Sequence, residues 1–211
     1  MVGFAVALSA AAVDLKAAFE VMGIDERRAK IPDTDHVRGV LFKMTEDAIA
    51  RAGPSAVTAF RHLAAPKKRW PFRMYPVLDY IEETAVAAAV LRPEDPLGAI
   101  REIWRETAKY APVFNAERFL AMLRIDALGA LRWLEQQRAM FCNYGSWRLE
   151  EIGPESVVMH YFDEWIWVDA AHRGGLEGVL RACHAVGSVD VVLESSFQGH
   201  ARVRWGAAAP R

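Results

Sequence analysis

The chain has 211 residues, a length that suits one domain or a domain with a short appendage. Hydrophobic residues make up 53% and charged residues 25%, close to the globular average, which excludes a disordered chain. A formal net charge of -1, from 26 basic and 27 acidic residues, speaks against a dedicated binder of nucleic acid or anionic membrane, though it leaves room for a local basic patch.

The first twelve residues, Met1 to Ala12, are almost wholly apolar but lack a basic leading region, and Asp14 and Lys16 follow at once. The run is too short to span a bilayer and reads as a buried first segment, not a signal peptide. A first helix is expected from Ala7 to Met22, ended by Gly23. Ile31 to Asp35 reads as a turn, with Asp35 as N-cap of a helix from His36 to Ala52 that stops at Gly53. Pro54 fits the first turn of the next helix, which ends before Pro66. Lys67 to Arg73 is the most basic segment; prolines bracket it, so it is a loop. Helices follow from Pro76 to Leu91, from the Asp95-Pro96 cap to Tyr110, and from Ala116 to Leu123 after Asn115. The last of this half runs from Asp126 to Phe141, with Leu128, Leu131, Trp133 and Leu134 in a broad apolar stripe.

After Gly145 the period changes from helical to alternating. Trp147–Ile152, Ser156–Phe162, Val189–Glu194 and Ala201–Trp205 read as strands, with Gly153-Pro154 turning the first hairpin. Between the pairs lies a helix from Gly175 to Val186, capped by Gly187, with Leu176, Val179, Leu180 and Cys183 on one face. If the last turn centres near Phe197, Val191 faces Val203, Val189 faces Trp205 and Asp190 meets Arg204 on the other face. The fold class is α+β: an N-terminal helical part (about 1–142) packed on a four-stranded antiparallel ββαββ sheet (about 143–206), in a single domain over 1–211.

The chain carries no GxGxxG, no Walker-type loop, no nucleophile elbow, no CxxC and no HExxH. No two histidines lie three or four residues apart, and the equal spacing of His160, His172 and His184 matches no metal chemistry. Cys142 and Cys183 read as reduced. The neighbours Cys183-His184 splay on a helix, as do Glu82-Glu83, and Glu150-Glu151 face opposite ways on a strand. No catalytic residue, metal ligand or cofactor is assigned. The unusual feature is the stretch Tyr161 to Val168, in a chain where five of seven tryptophans fall between Trp133 and Trp205. Such aromatics fill a core, line an apolar pocket or make a dimer surface. Tyr144, Trp147, Met159, Tyr161, Trp165 and Trp167 are the candidate lining of a pocket. Lys67, Lys68, Arg69 and Arg73, interleaved with Trp70 and Phe72, are candidates for an anionic patch, against the alternative of a solvated loop with its aromatics tucked inward.

Several segments together resemble an uncharacterised paralogous family expanded in myxobacteria such as Myxococcus xanthus. They are Val37 to Phe42; Arg73 to Ile81; and a diffuse third set of Asn143-Tyr144-Gly145, Gly174 to Gly187 and Ala201 to Trp205. They span Ile31 to Trp205. That family is in turn distantly similar to the fold shared by haem-nitric-oxide-binding domains, four-vinyl-reductase domains and TRAPP vesicle-tethering subunits. The resemblance implies a ligand-sensing or docking domain. Haem does not carry over, because the chain has no Tyr-x-Ser-x-Arg motif and no histidine that stands out as an axial ligand. Zinc does not carry over either, for want of a Cys cluster.

The leading expectation is a non-catalytic regulatory or adaptor domain, acting through protein contacts as a homodimer in the cytoplasm, without nucleic acid and without membrane insertion. The alternative is a sensor of a small apolar or aromatic ligand held between sheet and helices. A further alternative is an enzyme of unfamiliar type using Cys142, His160 or Arg38.

Overall fold

The structure is a computed structural model that describes residues 13–107 and 126–207. The Met1–Ala12 run, the start of the first expected helix, the end at Tyr110 of the helix expected from Asp95-Pro96, and the Ala116–Leu123 helix lie outside the described residues.

The helical part contains α1 (Leu15–Val21), α2 (Ile24–Lys30), α3 (Val40–Ala52), α4 (Pro54–Ala64), α5 (Val77–Leu91) and α6 (Pro96–Arg105). Asp14 caps α1 through the Ala17 amide, and Asp95 caps α6 through the Gly98 amide, each satisfying an N–H that helix geometry leaves free. Gly23 ends α1 in the left-handed conformation and at once precedes α2, a helix that the periodicity does not announce. At the centre is α5, whose Ala85, Ala87, Ala88 and Ala89 are buried; these small side chains let α1, α2, α3, α4 and α6 pack around it.

Two corrections fall at His36 and Gly187. The expected helix from His36 begins only at Val40, because His36–Arg38 forms strand β1, paired antiparallel with β2 (Met74–Pro76). Asp35 is therefore no cap. Its carboxylate accepts a hydrogen bond from the Trp165 indole at 2.6 Å. Far along the chain, the segment 141–143 closes on the same strand: the Arg38 amide donates to the Phe141 carbonyl at 2.7 Å, and the Asn143 side chain bridges His36 and Thr34.

The second part begins with α7 (Ala127–Gln137), capped by Asp126 and followed by a 3-10 turn, Arg138–Met140. Strands β3 (Ser146–Gly153) and β4 (Ser156–Phe162) form the first hairpin. A π turn (Val168–His172) leads into α8 (Arg173–Ala182), and β5 (Ala185–Ser195) and β6 (Gln198–Ala207) close the sheet in the order β3-β4-β6-β5. The helix thus ends four residues before the expected Val186, and Gly187 sits in β5 and caps nothing. His184, in the left-handed conformation, makes the reversal instead. The last hairpin is offset from the expected register by two residues: Val189 pairs with Val203, Val191 with Ala201 and Asp190 with Arg202. A bulge between Leu193 and Ser195 accounts for one residue of the offset and the turn, centred between Ser196 and Phe197, for the other, so the side-chain parity is kept. Asp190 still reaches Arg204, now as a diagonal ion pair.

Val157, Met159, Tyr161, Val189, Ala201 and Val203 make the inner face of the sheet, covered by α7 and α8. A separate apolar cluster fills the helical part and takes in Tyr144, Ile166 and Trp167. No helix among the described residues is long and apolar enough to cross a membrane.

Candidate functional site

The two cores meet at the segments around Tyr144 and Glu164. Gly145 has φ 59°, and a Cβ there would run into the Phe162 and Asp163 carbonyls. Only glycine allows this close approach with that backbone. Asp163 is itself left-handed, at φ 50°. The paired reversals bring the start of β3 against the end of β4 and turn Tyr144 and Glu164 into the interior.

Glu164 has no exposed surface. Its Oε2 accepts from Trp147 Nε1 at 2.6 Å, and its Oε1 accepts from the Ile166 amide at 3.2 Å. His172 Nε2 stands 3.4 Å from Oε2, not aligned for a hydrogen bond. The His172 ring stacks on Tyr161 with centroids 4.6 Å apart, and meets Trp147 and Trp104 edge-on at 4.9 and 5.3 Å. The Arg138 guanidinium lies over Tyr144 and Trp147 at 5.6 and 5.7 Å from their ring centres. Four buried polar atoms here lack a hydrogen-bond partner: Tyr144 Oη, His172 Nε2, and Arg138 Nε and Nη2. An unsatisfied buried donor or acceptor costs about 1–3 kcal/mol.

Burial by itself would raise the Glu164 carboxyl. The His172 ring, the Trp147 N–H and the Arg138 guanidinium outweigh it and hold Glu164 below the ordinary carboxylate value. Burial, with the Glu164 charge adding to it, pushes the Tyr144 and Tyr161 phenols well above their usual range and the Cys142 thiol up to about 12. A cysteine so held is a neutral thiol and a poor nucleophile. His160 lies on the outer face of the sheet beside Glu150 at 3.1 Å, and Arg38 lies in β1. Among the described residues no three His, Cys, Asp or Glu side chains converge to hold a metal.

The structure brings Tyr144, Trp147 and Tyr161 together around Glu164 and His172. Trp165 stands beside them, tilted at 6.4 Å from Tyr144 and edge-on to Phe197 at 5.0 Å. Met159 is buried within the sheet core, one alternation away. Trp167 turns to the helices instead: its indole donates to the Met22 carbonyl at 2.8 Å, and Arg27 covers its ring at 4.9 Å. Arg27 is buried, donates to the Trp165 and Met22 carbonyls, and is lowered by burial to about 10.

The basic loop divides. Lys67, Lys68 and Arg73 are exposed. Arg69 turns inward, with its side chain 4% exposed, pairing with Glu83 at 2.6 Å and Asp79 at 3.2 Å. It therefore offers no free charge to an anion. Burial, with Asp79 and Glu46 adding repulsion, raises the Glu83 carboxyl to about 7 against the pull of Arg69. Trp70 and Phe72 are not tucked in: both stand out in solvent, because Arg69 occupies the space over the Phe42 and Tyr75 rings that an inward aromatic would take.

Glu164, His172 and Arg138 escape the sequence reading. The signal for Glu164 is an acid inside the aromatic run Tyr161 to Val168, since a charge in a buried stretch needs a partner. His172 and Arg138 carry no such local mark.

The family described as Protein of unknown function (DUF2378) matches residues 30–206, one residue beyond the Ile31–Trp205 span at each end. No curated protein matches the chain. Among solved structures, the chain is similar to an Fe(II) unliganded H-NOX protein from K. algicida, with TM-score 0.62 and 10% identity over 82% of this chain and 99% of that one. It is similar also to an H-NOX protein from S. oneidensis in the Fe(II)NO ligation state, with TM-score 0.63 and 9% identity over 80% of this chain and 99% of that one. Likeness at this identity carries the fold and leaves the function to the site.

Proposed function

Because the chain belongs to the DUF2378 family and has the H-NOX-like fold, we propose that it is a sensor domain that holds a small apolar or aromatic ligand where the sheet meets the helices. One observation carries this reading: buried Tyr144 Oη and Arg138 Nε and Nη2 have no hydrogen-bond partner, in an aromatic setting made by Tyr144, Trp147 and Tyr161. Guanidinium N–H groups can only donate, so the ligand carries an acceptor on an otherwise apolar frame. Such a molecule recovers the hydrogen bonds that the fold leaves unmade.

Haem does not fit these residues. His172, the one buried histidine of six, is stacked on Tyr161, edged by Trp147 and Trp104, and points its Nε2 at the Glu164 carboxylate, where an axial ligand would have to face an iron. Cys142 is held as a neutral thiol. No step through haem is derived.

The test is native mass spectrometry of the purified chain, with tryptophan fluorescence titration of whatever it releases. A retained mass of a few hundred daltons is the expected size for a site of this class, on the order of what such pockets enclose. Tyr144→Phe and Arg138→Met should each weaken its binding about tenfold or more, the worth of a buried hydrogen bond to a charged or phenolic group. A chain that retains nothing and shows no fluorescence response rules the sensor reading out.

A second reading, a docking domain working as a homodimer, is favoured by one feature. Strand β5 is a sheet edge of 11 residues with Val186, Val192 and Leu193 exposed. An unpaired edge of that length is a template for pairing with a second copy.

A further inference from the structure

The loop between α4 and β2 presents aromatic side chains to solvent. Trp70 is 56% exposed and Phe72 68%, and Met74 beside them is 37% exposed. They are the only aromatic members of the exposed large hydrophobics among the described residues. Leaving such a side chain in water forgoes roughly 1.5–3 kcal/mol.

The exposure is built in, not the result of a loose loop. Arg69 pins the loop from beneath, paired with Glu83 and Asp79 and lying over the Phe42 and Tyr75 rings at 4.5 and 5.2 Å. The Trp70 amide donates to Tyr75 Oη at 2.7 Å. The Gly39 amide donates to the Arg73 carbonyl at 2.8 Å, and the Val40 amide to the Pro71 carbonyl at 3.0 Å. The backbone is thus bonded to the body on both sides of Phe72, which fixes the loop that carries the two exposed rings.

The surroundings select the partner. Lys67, Lys68 and Arg73 are exposed around the rings, and no acidic residue occurs between Pro66 and Leu78. The surface is therefore cationic as well as apolar. It is also small: two aromatics and a methionine offer about 150–250 Å² each at most, short of the roughly 800 Å² per side that a stable protein interface needs. Shallow insertion into a bilayer needs far less area, and gains about 1 kcal/mol from each nearby Lys or Arg when the lipids are anionic.

We propose that this loop docks the domain on an anionic lipid surface, with Trp70 and Phe72 sunk to the headgroup–acyl boundary and Lys67, Lys68 and Arg73 on the headgroups. The contact is peripheral and salt-sensitive, and it is compatible with a near-zero net charge because the basic residues are concentrated in one place. It uses none of the residues around Glu164, so it stands or falls apart from the sensor reading.

Co-sedimentation of the full chain with phosphatidylcholine vesicles, with and without phosphatidylglycerol, tests the proposal. The chain should pellet with the anionic vesicles and stay in solution with the neutral ones. Trp70→Ala with Phe72→Ala should lower the partition coefficient at least about tenfold, and Lys67→Gln with Lys68→Gln about tenfold to thirtyfold at low salt. All four side chains are exposed or half-exposed, so circular dichroism of the variants should match the parent. Failure to pellet with anionic vesicles overturns the proposal, as does equal pelleting with neutral ones or full binding by both variants. Loss of a protein partner by these variants, without vesicle binding by the parent, overturns it in favour of a protein-docking loop.

Discussion

Glu164 and His172 sit together with 0% and 3% of their surface exposed, where the sheet part meets the helical part. A buried carboxylate is costly unless its neighbours supply charge and hydrogen bonds, and here Trp147, the Ile166 amide, His172 and Arg138 do so. Glu164→Gln keeps the shape but removes the charge, and it should cost about 3 kcal/mol in urea unfolding at neutral pH. The pH dependence has a definite sign. A carboxyl held below its unfolded value stabilises the fold above that value, and the contribution is lost as pH falls through the folded one. The parent should therefore lose stability on acidification through and below the ordinary carboxylate range, and the variant should show a smaller acid decline. Parallel acid limbs for the two proteins would mean that Glu164 does not carry this linkage.

At the level of elements, α6 and α8 cross in close contact. Gly174 and Gly178 of α8 lie against the Arg101 and Arg105 carbonyls of α6, with no room for a Cβ. Between them Glu177 takes ion pairs from Arg101 and Arg105, and these hold its carboxyl low although burial would raise it. Gly178→Ala would favour an isolated helix by about 1 kcal/mol. Here the backbone of α6 cannot give way as a side-chain tip could, so a net loss of about 1–3 kcal/mol is expected from chemical denaturation. A neutral or stabilising result would show that α8 slides to accommodate the methyl. The β5–β6 hairpin teaches the same lesson about pairing. Its register lies two residues from the one the alternation suggests, one from the bulge and one from the turn, yet the apolar face stays apolar and Asp190 still finds Arg204.

For the whole molecule, the sheet among the described residues ends in two unpaired edges, β3 and β5, and only β5 combines 11 residues with exposed Val186, Val192 and Leu193. If β5 pairs with its symmetry mate, light scattering should give a dimer, and Val192→Lys with Leu193→Lys should give a monomer without loss of secondary structure. A strict monomer for the parent chain at high concentration would remove the homodimer reading and leave the ligand site and the lipid-facing loop untouched. The helical and sheet parts share the Trp165–Trp167 segment, which Arg27, Asp35 and Met22 tie back to the first helices.

Much of this architecture follows from local pattern. The Asp14 cap is not foreseen, but the Asp95-Pro96 cap, the Gly53-Pro54 boundary, the alternation after Gly145 and the Ser156–Phe162 strand are all legible, because each is set by φ/ψ preference, capping chemistry or a period of two or 3.6. The α+β layout, helices first and an antiparallel sheet after, follows from their order. The short strands His36–Arg38 and Met74–Pro76 do not, since three residues hold no period and exist only through partners far along the chain. The Glu164–His172–Arg138 cluster and the outward Trp70 and Phe72 belong to the same category. A side chain's charge or ring is visible in sequence, but whether it meets a partner or water depends on which distant segments fold against it, and only the tertiary contacts decide that.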